Sequence, residues 1–329
     1  VSRAAPKPAD LAEAVAGGDR RALAQAITLV ESTRAEDRPA ADALLEKLLP
    51  RTGKSIRIGI SGAPGVGKST FIQAFGLHVL EQGHRLAVLA VDPSSRIGGG
   101  SILGDKTRMA DLAADQRAFI RPSPAGITLG GVARRSREAL LLCEAAGHDV
   151  VLVETVGVGQ SETAVADMTD MFVLLLQPGG GDELQGIKRG IVELADLLLV
   201  NKADGEMLEA AGRTAAEYQH ALRLLRPATS GWQPEVMRCS ALTEAGIPEA
   251  WQKVEAFRKA VGKKAIAERR ARQARAWLKA ELADSLMEAL AHHPDLAKQL
   301  PALEAKVAAG SATPGAAARA ILGGFLGRK

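Results

Sequence analysis

Residues 58–70 read IGISGAPGVGKST, and the fold of the chain follows from how that stretch is built. Gly62, Gly67, Lys68 and Ser69 fit the pattern G-x-x-x-x-G-K-[ST], in which a glycine loop lets backbone N–H groups curl around phosphate oxygens. Ile56, Ile58 and Ile60 supply a strand in front of the loop, and Phe71, Ile72, Phe75 and Leu80 an apolar helix face behind it. The chemistry requires this order. The helix opening near Lys68 turns its positive end toward the β- and γ-phosphates of a nucleotide, and the Ser69 hydroxyl reaches Mg²⁺. Gly62, Ala63, Pro64, Gly65, Val66, Gly67, Lys68, Ser69 and Thr70 are therefore the expected phosphate-binding residues. Nearby, Gly53, Lys54 and Ser55 also spell G-K-S, but Leu48 stands at their first-glycine position and no buried strand precedes them. That copy is not a second loop.

Outward from the loop, the chain changes character twice. Residues 1–50 are rich in Ala, Leu and charge, with helical apolar spacing over 9–16, 19–31 and 40–49; Asp19 suits an N-cap and Arg38-Pro39 interrupts the pattern. From residue 55 come short runs rich in Val, Ile and Leu, at 56–61, 86–91, 150–155, 171–177, 197–200 and 236–240, separated by helix-length stretches. Runs this apolar, with little alternation, predict an α/β fold with a mostly parallel sheet covered by helices on both faces. After about Gly262 the strands stop. Residues 263–291 form a long helical pattern with Ile266, Trp277, Leu278, Leu282, Leu286 and Leu290 on a broad apolar side, and Thr313-Pro314 opens a last short helix. An apolar helical arm with little of its own to pack on pairs with a copy of itself, so a homodimer is expected.

Composition narrows the function. In 329 residues, 42 basic side chains nearly balance 38 acidic ones, and aromatics make up 3%. A net charge of +4 with so few stacking side chains argues against nucleic acid as a partner. No apolar run reaches the roughly 18 to 20 residues of a membrane span, and the N-terminal stretch lacks a signal-peptide core. Cys143 and Cys239 form no C-x-x-C and read as buried thiols. A cytoplasmic protein without membrane contact is expected.

The nucleotide's base is read further along. Asn201, Lys202 and Asp204 spell N-K-A-D directly after the run 197–200, at the carboxyl edge of the sheet where open α/β folds bind nucleotides. A carboxylate there accepts hydrogen bonds from guanine N1–H and N2–H₂, donors that adenine lacks. A site built for such donors rejects the analogue without them by roughly 10⁴ to 10⁵. GTP and GDP are the expected ligands, with Ser240, Ala241 and Leu242 as the loop near the guanine oxygen or, alternatively, a plain strand-end turn. Glu154 ends the run 150–155 at the position of an acidic Mg²⁺ supporter, and Gly157 follows in E-T-V-G. Val158, not Gln, comes next, with Gln160 displaced further along, so slow intrinsic hydrolysis is expected. Asp92 opens D-P-S-S-R ahead of Gly98, Gly99 and Gly100, and Asp105 lies in G-D-K-T; Asp92 is a candidate for orienting water or supporting the metal, Asp105 for touching it, and each reads equally as a turn residue. The glycine-rich 178–185 leads to Lys188, a candidate trans-acting cation or part of a structural loop.

Together GAPGVGKST, VDPSS, GDKTRM, ETVGVGQSE, QPGGGDELQGIKRG, NKAD and SAL resemble the MeaB/ArgK/methylmalonic aciduria type A family of G proteins, over about residues 57–242. The resemblance implies a P-loop GTPase of the SIMIBI class that serves as chaperone to adenosylcobalamin-dependent methylmalonyl-CoA mutase, with partner-activated hydrolysis and a dimer joined through the helical arm. It divides the chain into an N-terminal helical extension (1–50), a GTPase domain (51–261) and a C-terminal dimerisation arm (262–329). Switch loops would fall at 92–109, 154–162 and 177–188. None of the six His residues has an Asp two positions before it, so the D-x-H-x-x-G cobalamin signature is absent. Three other readings stay open: a GTPase of nickel-enzyme maturation, a protein kinase of the ArgK type, and a binding module whose hydrolysis is incidental.

Overall fold

The computed structural model describes residues 8–91, 109–122, 129–155, 161–179, 189–293 and 296–325. They divide into two compact units, 1–273 and 274–329.

In the first unit three helices come first: α1 (Pro8–Ala16), α2 (Arg20–Val30) and α3 (Arg38–Leu48). Asp19 caps α2 by accepting a 2.8 Å hydrogen bond from the Ala22 N–H, as its residue type predicts. Pro39, which the sequence suggests as a break, instead sits in the first turn of α3, where its missing N–H has no intrahelical partner to lose. Leu11, Val15, Leu23, Ile27, Val30 and Leu44 are buried. The helices pack on one another and on α6 (Leu129–Ala145).

The sheet is parallel throughout, with β1 (Ile56–Gly62), β2 (Leu86–Val91), β3 (Ala118–Arg121), β4 (Val150–Thr155), β5 (Met171–Leu176), β6 (Leu197–Val200) and β7 (Glu235–Arg238) in the order β3-β2-β4-β1-β5-β6-β7. β1 lies at its centre, buried along its whole length. Its alternation sorts the two faces. Ile56, Ile58 and Ile60 join a core with Phe71, Ile72, Phe75 and Leu80 of α4 (Lys68–Glu81) and with Trp251, Val254 and Phe257. Gly59 faces the other way, where a Cβ would lie 2.8 Å from Val165 Cγ1 and 2.9 Å from Thr169 Oγ1. The short α7 (Ser161–Ala166) therefore sits directly on the strand.

β3 is the one strand that the sequence reading missed. Four residues long like β6 and β7, it lies at the sheet edge, and its apolar run stops after three residues at Arg121. The short helices α5 (Ala110–Ala114) and α8 (Arg189–Leu194) and the longer α9 (Leu208–Leu222) complete the crossovers. Last comes α10 (Ile247–His292), interrupted by Gly262 at φ 75°, ψ 160°, so that two helices run end to end.

The second unit contains the end of α10 with α11 (Leu296–Ala308) and α12 (Pro314–Phe325). Thr313 accepts a hydrogen bond from Ala316 N–H and Pro314 is the first helical residue, as expected from the Thr-Pro pair. Leu296 and Ala317 are buried in this unit.

Candidate functional site

Because the strands are parallel, β1, β4, β5, β6 and β7 all end at one edge, and the sequence motifs gather there. β1 ends at Gly62, where a Cβ would meet the Leu175 carbonyl oxygen at 2.6 Å; only glycine allows β1 and β5 to approach so closely. Gly67, at φ 91°, ψ 32°, turns the chain into α4. A Cβ on it would come within 2.8 Å of Asn201 Nδ2. Val66 is buried beneath the loop and anchors it. Lys68 donates from Nζ to the Gly62 carbonyl at 2.7 Å and to that of Ala63 at 3.2 Å. Burial holds the Lys68 ammonium below its ordinary range, against the opposing charges of Glu154 and Glu162. A partly desolvated ammonium flanked by two carboxylates is poised to gain from a polyanion.

Asn201 locks this loop to the end of β6. Fully buried, it donates from Nδ2 to the Val66 carbonyl at 2.9 Å and accepts at Oδ1 from Ala241 N–H at 3.1 Å, while its own N–H donates to the Leu176 carbonyl. Lys202, a non-glycine residue at φ 58°, donates from Nζ to the Gly65 carbonyl at 2.7 Å. Such a backbone is costly for a long side chain, so surrounding contacts must hold it. The Ala203 N–H to Cys239 carbonyl bond does so at 2.9 Å. Ser240 donates its hydroxyl to Asp204 Oδ2 and accepts from Thr243 N–H, which fixes the Asp204 carboxylate on the loop. Leu242 is exposed beside it. The phosphate loop, the N-K-A-D loop and the 240–242 turn thus form one hydrogen-bonded assembly.

Glu154 pairs in register with Ile60 of β1 and Ala90 of β2, placing it at the same edge, buried. The next residue, Thr155, donates to Ser61 Oγ at 2.9 Å. Glu162, read from sequence only as the end of a loop, is a buried residue in the first turn of α7 whose charge reaches Lys68. Its signal was weak, a single carboxylate following a glycine-rich run. Asp92, Asp105, Gln160 and Lys188 lie outside the described residues.

A phosphate loop between a central strand and its helix, braced to an N-K-x-D loop that carries a fixed carboxylate, defines a P-loop GTPase. The family is given by comparison. A family profile described as Methylmalonyl Co-A mutase-associated GTPase MeaB matches residues 23–295, and the chain belongs to that family. The mouse protein named methylmalonic aciduria type A homolog, mitochondrial, is 50% identical over 94% of this chain and 78% of its own length. GTPase ArgK of Escherichia coli K12 is 48% identical over 84% of each chain. Among solved structures, one titled as the crystal structure of LAO/AO transport system kinase has a TM-score of 0.78 and 36% identity, covering 99% of this chain and 100% of that one. The chain is a GTPase.

Proposed function

We propose that the chain is a Mg²⁺-dependent switch GTPase that assists adenosylcobalamin loading and protection of a methylmalonyl-CoA mutase. The observation that carries the GTP-driven part is the bracing of the phosphate loop onto the N-K-A-D loop through Asn201 and Lys202. It makes the two ends of one nucleotide report to a single rigid frame. The mutase part rests on the family description and on the name of the mouse relative.

In this reading Lys68 leaves its two carbonyl partners to neutralise the β- and γ-phosphates, while N–H groups of 62–70 cradle them. Asp204 selects guanine, and Ser240, Ala241 and Leu242 lie alongside the base. Ser69 and Glu154 offer hydroxyl and carboxylate oxygens, the hard donors that suit Mg²⁺, with Asp92 and Asp105 as the further ligands expected from sequence. When bound there, the metal would supply positive charge to neutralise the phosphates. Gln160 and Lys188 are the expected water-orienting and cationic groups, and slow turnover until a partner engages follows from the displaced glutamine. The chain falls into the three parts 1–50, 51–261 and 262–329, the last being a homodimerisation arm. Among the described residues no helix is long and apolar enough to cross a membrane, and we assign the protein to the cytoplasm, where its two free cysteines stay reduced.

The test is co-purification from cell extract of the tagged protein loaded with GDP or with a non-hydrolysable GTP analogue. Recovery of a cobalamin-dependent mutase in a nucleotide-dependent amount is the expected result. Recovery of a nickel enzyme instead, or labelled γ-phosphate appearing on a partner rather than in solution, would replace this reading with one of its rivals.

A further inference from the structure

The edge of the sheet opposite the nucleotide carries a second polar assembly that the GTPase reaction does not use. Asp170, immediately before β5, and Asp196, immediately before β6, are fully buried, and Glu144 at the end of α6 is nearly so. Asp170 accepts at Oδ1 from Arg270 Nε at 2.7 Å and at Oδ2 from Arg270 Nη2 at 2.5 Å and Arg57 N–H at 2.9 Å. Arg270 also donates to the carbonyls of Gly53 at 2.9 Å and Ser55 at 2.7 Å. Arg57 is bidentate on Glu144, at 2.8 and 3.0 Å. One turn along α10, Gln273 donates from Nε2 to the Thr169 carbonyl at 2.9 Å. Beside it Arg269 donates to Thr229 Oγ1 at 2.9 Å, and Thr229 donates in turn to Asp196 Oδ1 at 2.6 Å.

A helix held only for stability would be seated more cheaply on apolar side chains, because buried charges lose their water. What a bidentate Arg–carboxylate pair adds is direction: it is satisfied at one rotation and one height of the helix. The gripped turn, 167–170, follows the six-residue α7, and α7 touches the nucleotide edge. Glu162 in its first turn acts on Lys68, and Val165 packs on Gly59 with no room to spare. α7 is thus a strut about 9 Å long between the P-loop lysine and the turn that holds Arg270 and Gln273.

We propose that the 167–170 turn, Arg270 and Gln273 form a latch through which α7 reports the state of the phosphate site to α10. When Lys68 turns from the Gly62 and Ala63 carbonyls to phosphate, the balance of charge around Glu162 changes and α7 resettles on β1. The turn then shifts against Arg270 and Gln273, and the setting of α10, which continues past Gln273 into the second unit, changes with it. By linkage, whatever engages that helix feeds back on nucleotide affinity by the same factor. The latch rests on the switch-GTPase reading but needs no mutase.

Hydrogen exchange on the full chain tests it, comparing GDP with a non-hydrolysable GTP analogue. Either nucleotide protects 62–70 and 201–204, and amides of 167–170 and 263–273 exchange at rates at least threefold different between the two states. Gln273→Leu and Arg270→Lys keep GTP hydrolysis within twofold of the parent and bring that ratio to one. A merely structural role would raise exchange equally in both states and leave the ratio intact, which overturns the proposal. So does a parent chain in which 62–70 is protected while 263–273 is indifferent to the nucleotide. If Arg270→Lys does not fold, Gln273→Leu, which leaves no buried charge, gives the answer alone. Absence of protection at 62–70 and 201–204 would instead remove the nucleotide reading, and the latch's input with it.

Discussion

At the scale of single residues, the proposed reading of guanine rests most directly on Asp204. Ser240 and the loop hold its carboxylate in place before any base arrives. Replacing it by Asn exchanges an acceptor oxygen for a donor, so guanine loses one charged hydrogen bond and meets a like donor. At about 1.5–3 kcal/mol for a hydrogen bond to a charged group, GTP affinity is expected to fall roughly 10- to 10²-fold. Xanthine, with an acceptor at C2, should bind the Asp204→Asn chain better than the parent. Titrations of both triphosphates against both chains measure this, and unchanged preference would remove Asp204 from the base site. A second residue-scale effect concerns pH. Burial holds the His148 imidazole down at about 4, while its Nδ1 lies 3.0 Å from the Cys143 carbonyl, as a neutral N–H donor would. The unfolded chain takes up this proton near pH 6.5, where the fold refuses it. Stability from His148 is therefore complete above about 6.5 and drains away as pH falls toward 4, by up to about 3 kcal/mol. Thermal unfolding from pH 7.5 to 5 should show the loss in the parent and a flatter profile in His148→Gln.

At the scale of elements, what the sequence reveals depends on how locally each element is determined. β1, β2, β4, β5 and β6 are legible because a central parallel strand must be apolar on both faces, and the sequence shows it as an uninterrupted run. β3 is not, because its apolar run stops at Arg121 after three residues and its place in the sheet comes from pairing with Leu86, Ala87, Val88 and Leu89. The loops behave likewise. N-K-A-D announces its site through residue type and its place after a strand. That Asn201 faces Val66 across 135 positions of sequence is a consequence of β1 and β6 flanking β5, which spacing does not encode. The same holds for the latch: Arg270 stands in a basic run, Arg269 to Arg275, that resembles a solvated helix face. Only the fold shows that Arg269 and Arg270 turn inward to Asp196 and Asp170 while Arg272 stays exposed. Glu162 escaped notice for the converse reason, a lone carboxylate whose meaning comes from the lysine near it.

For the whole molecule, the open matter is what the second unit does with its apolar surface. Leu278, Leu282 and Leu286 recur at every fourth position of α10 and are 60%, 54% and 52% exposed, with Met287 beside them at 66%. Scattered leucines need no explanation, but a stripe of three on successive turns of one helix does. A two-fold interface on that stripe uses each leucine twice, once from each copy. Removing two of them therefore takes four buried leucines from the dimer. At about 1.5–3 kcal/mol for each one buried, the loss is roughly 6–12 kcal/mol, enough to turn a nanomolar dimer into a monomer at any practical concentration. In size-exclusion chromatography with light scattering the parent is expected to elute as a dimer and the double variant Leu282→Glu with Leu286→Glu as a monomer. Basal GTP hydrolysis should stay within about twofold, because the assembly around Gly62, Asn201 and Asp204 lies wholly within the first unit. A variant that keeps the mass of the parent would show that these leucines meet something other than a second copy of the chain. Loss of hydrolysis together with the dimer would mean that the second copy completes the catalytic site, and the slow basal rate expected from the displaced Gln160 would then belong to the monomer.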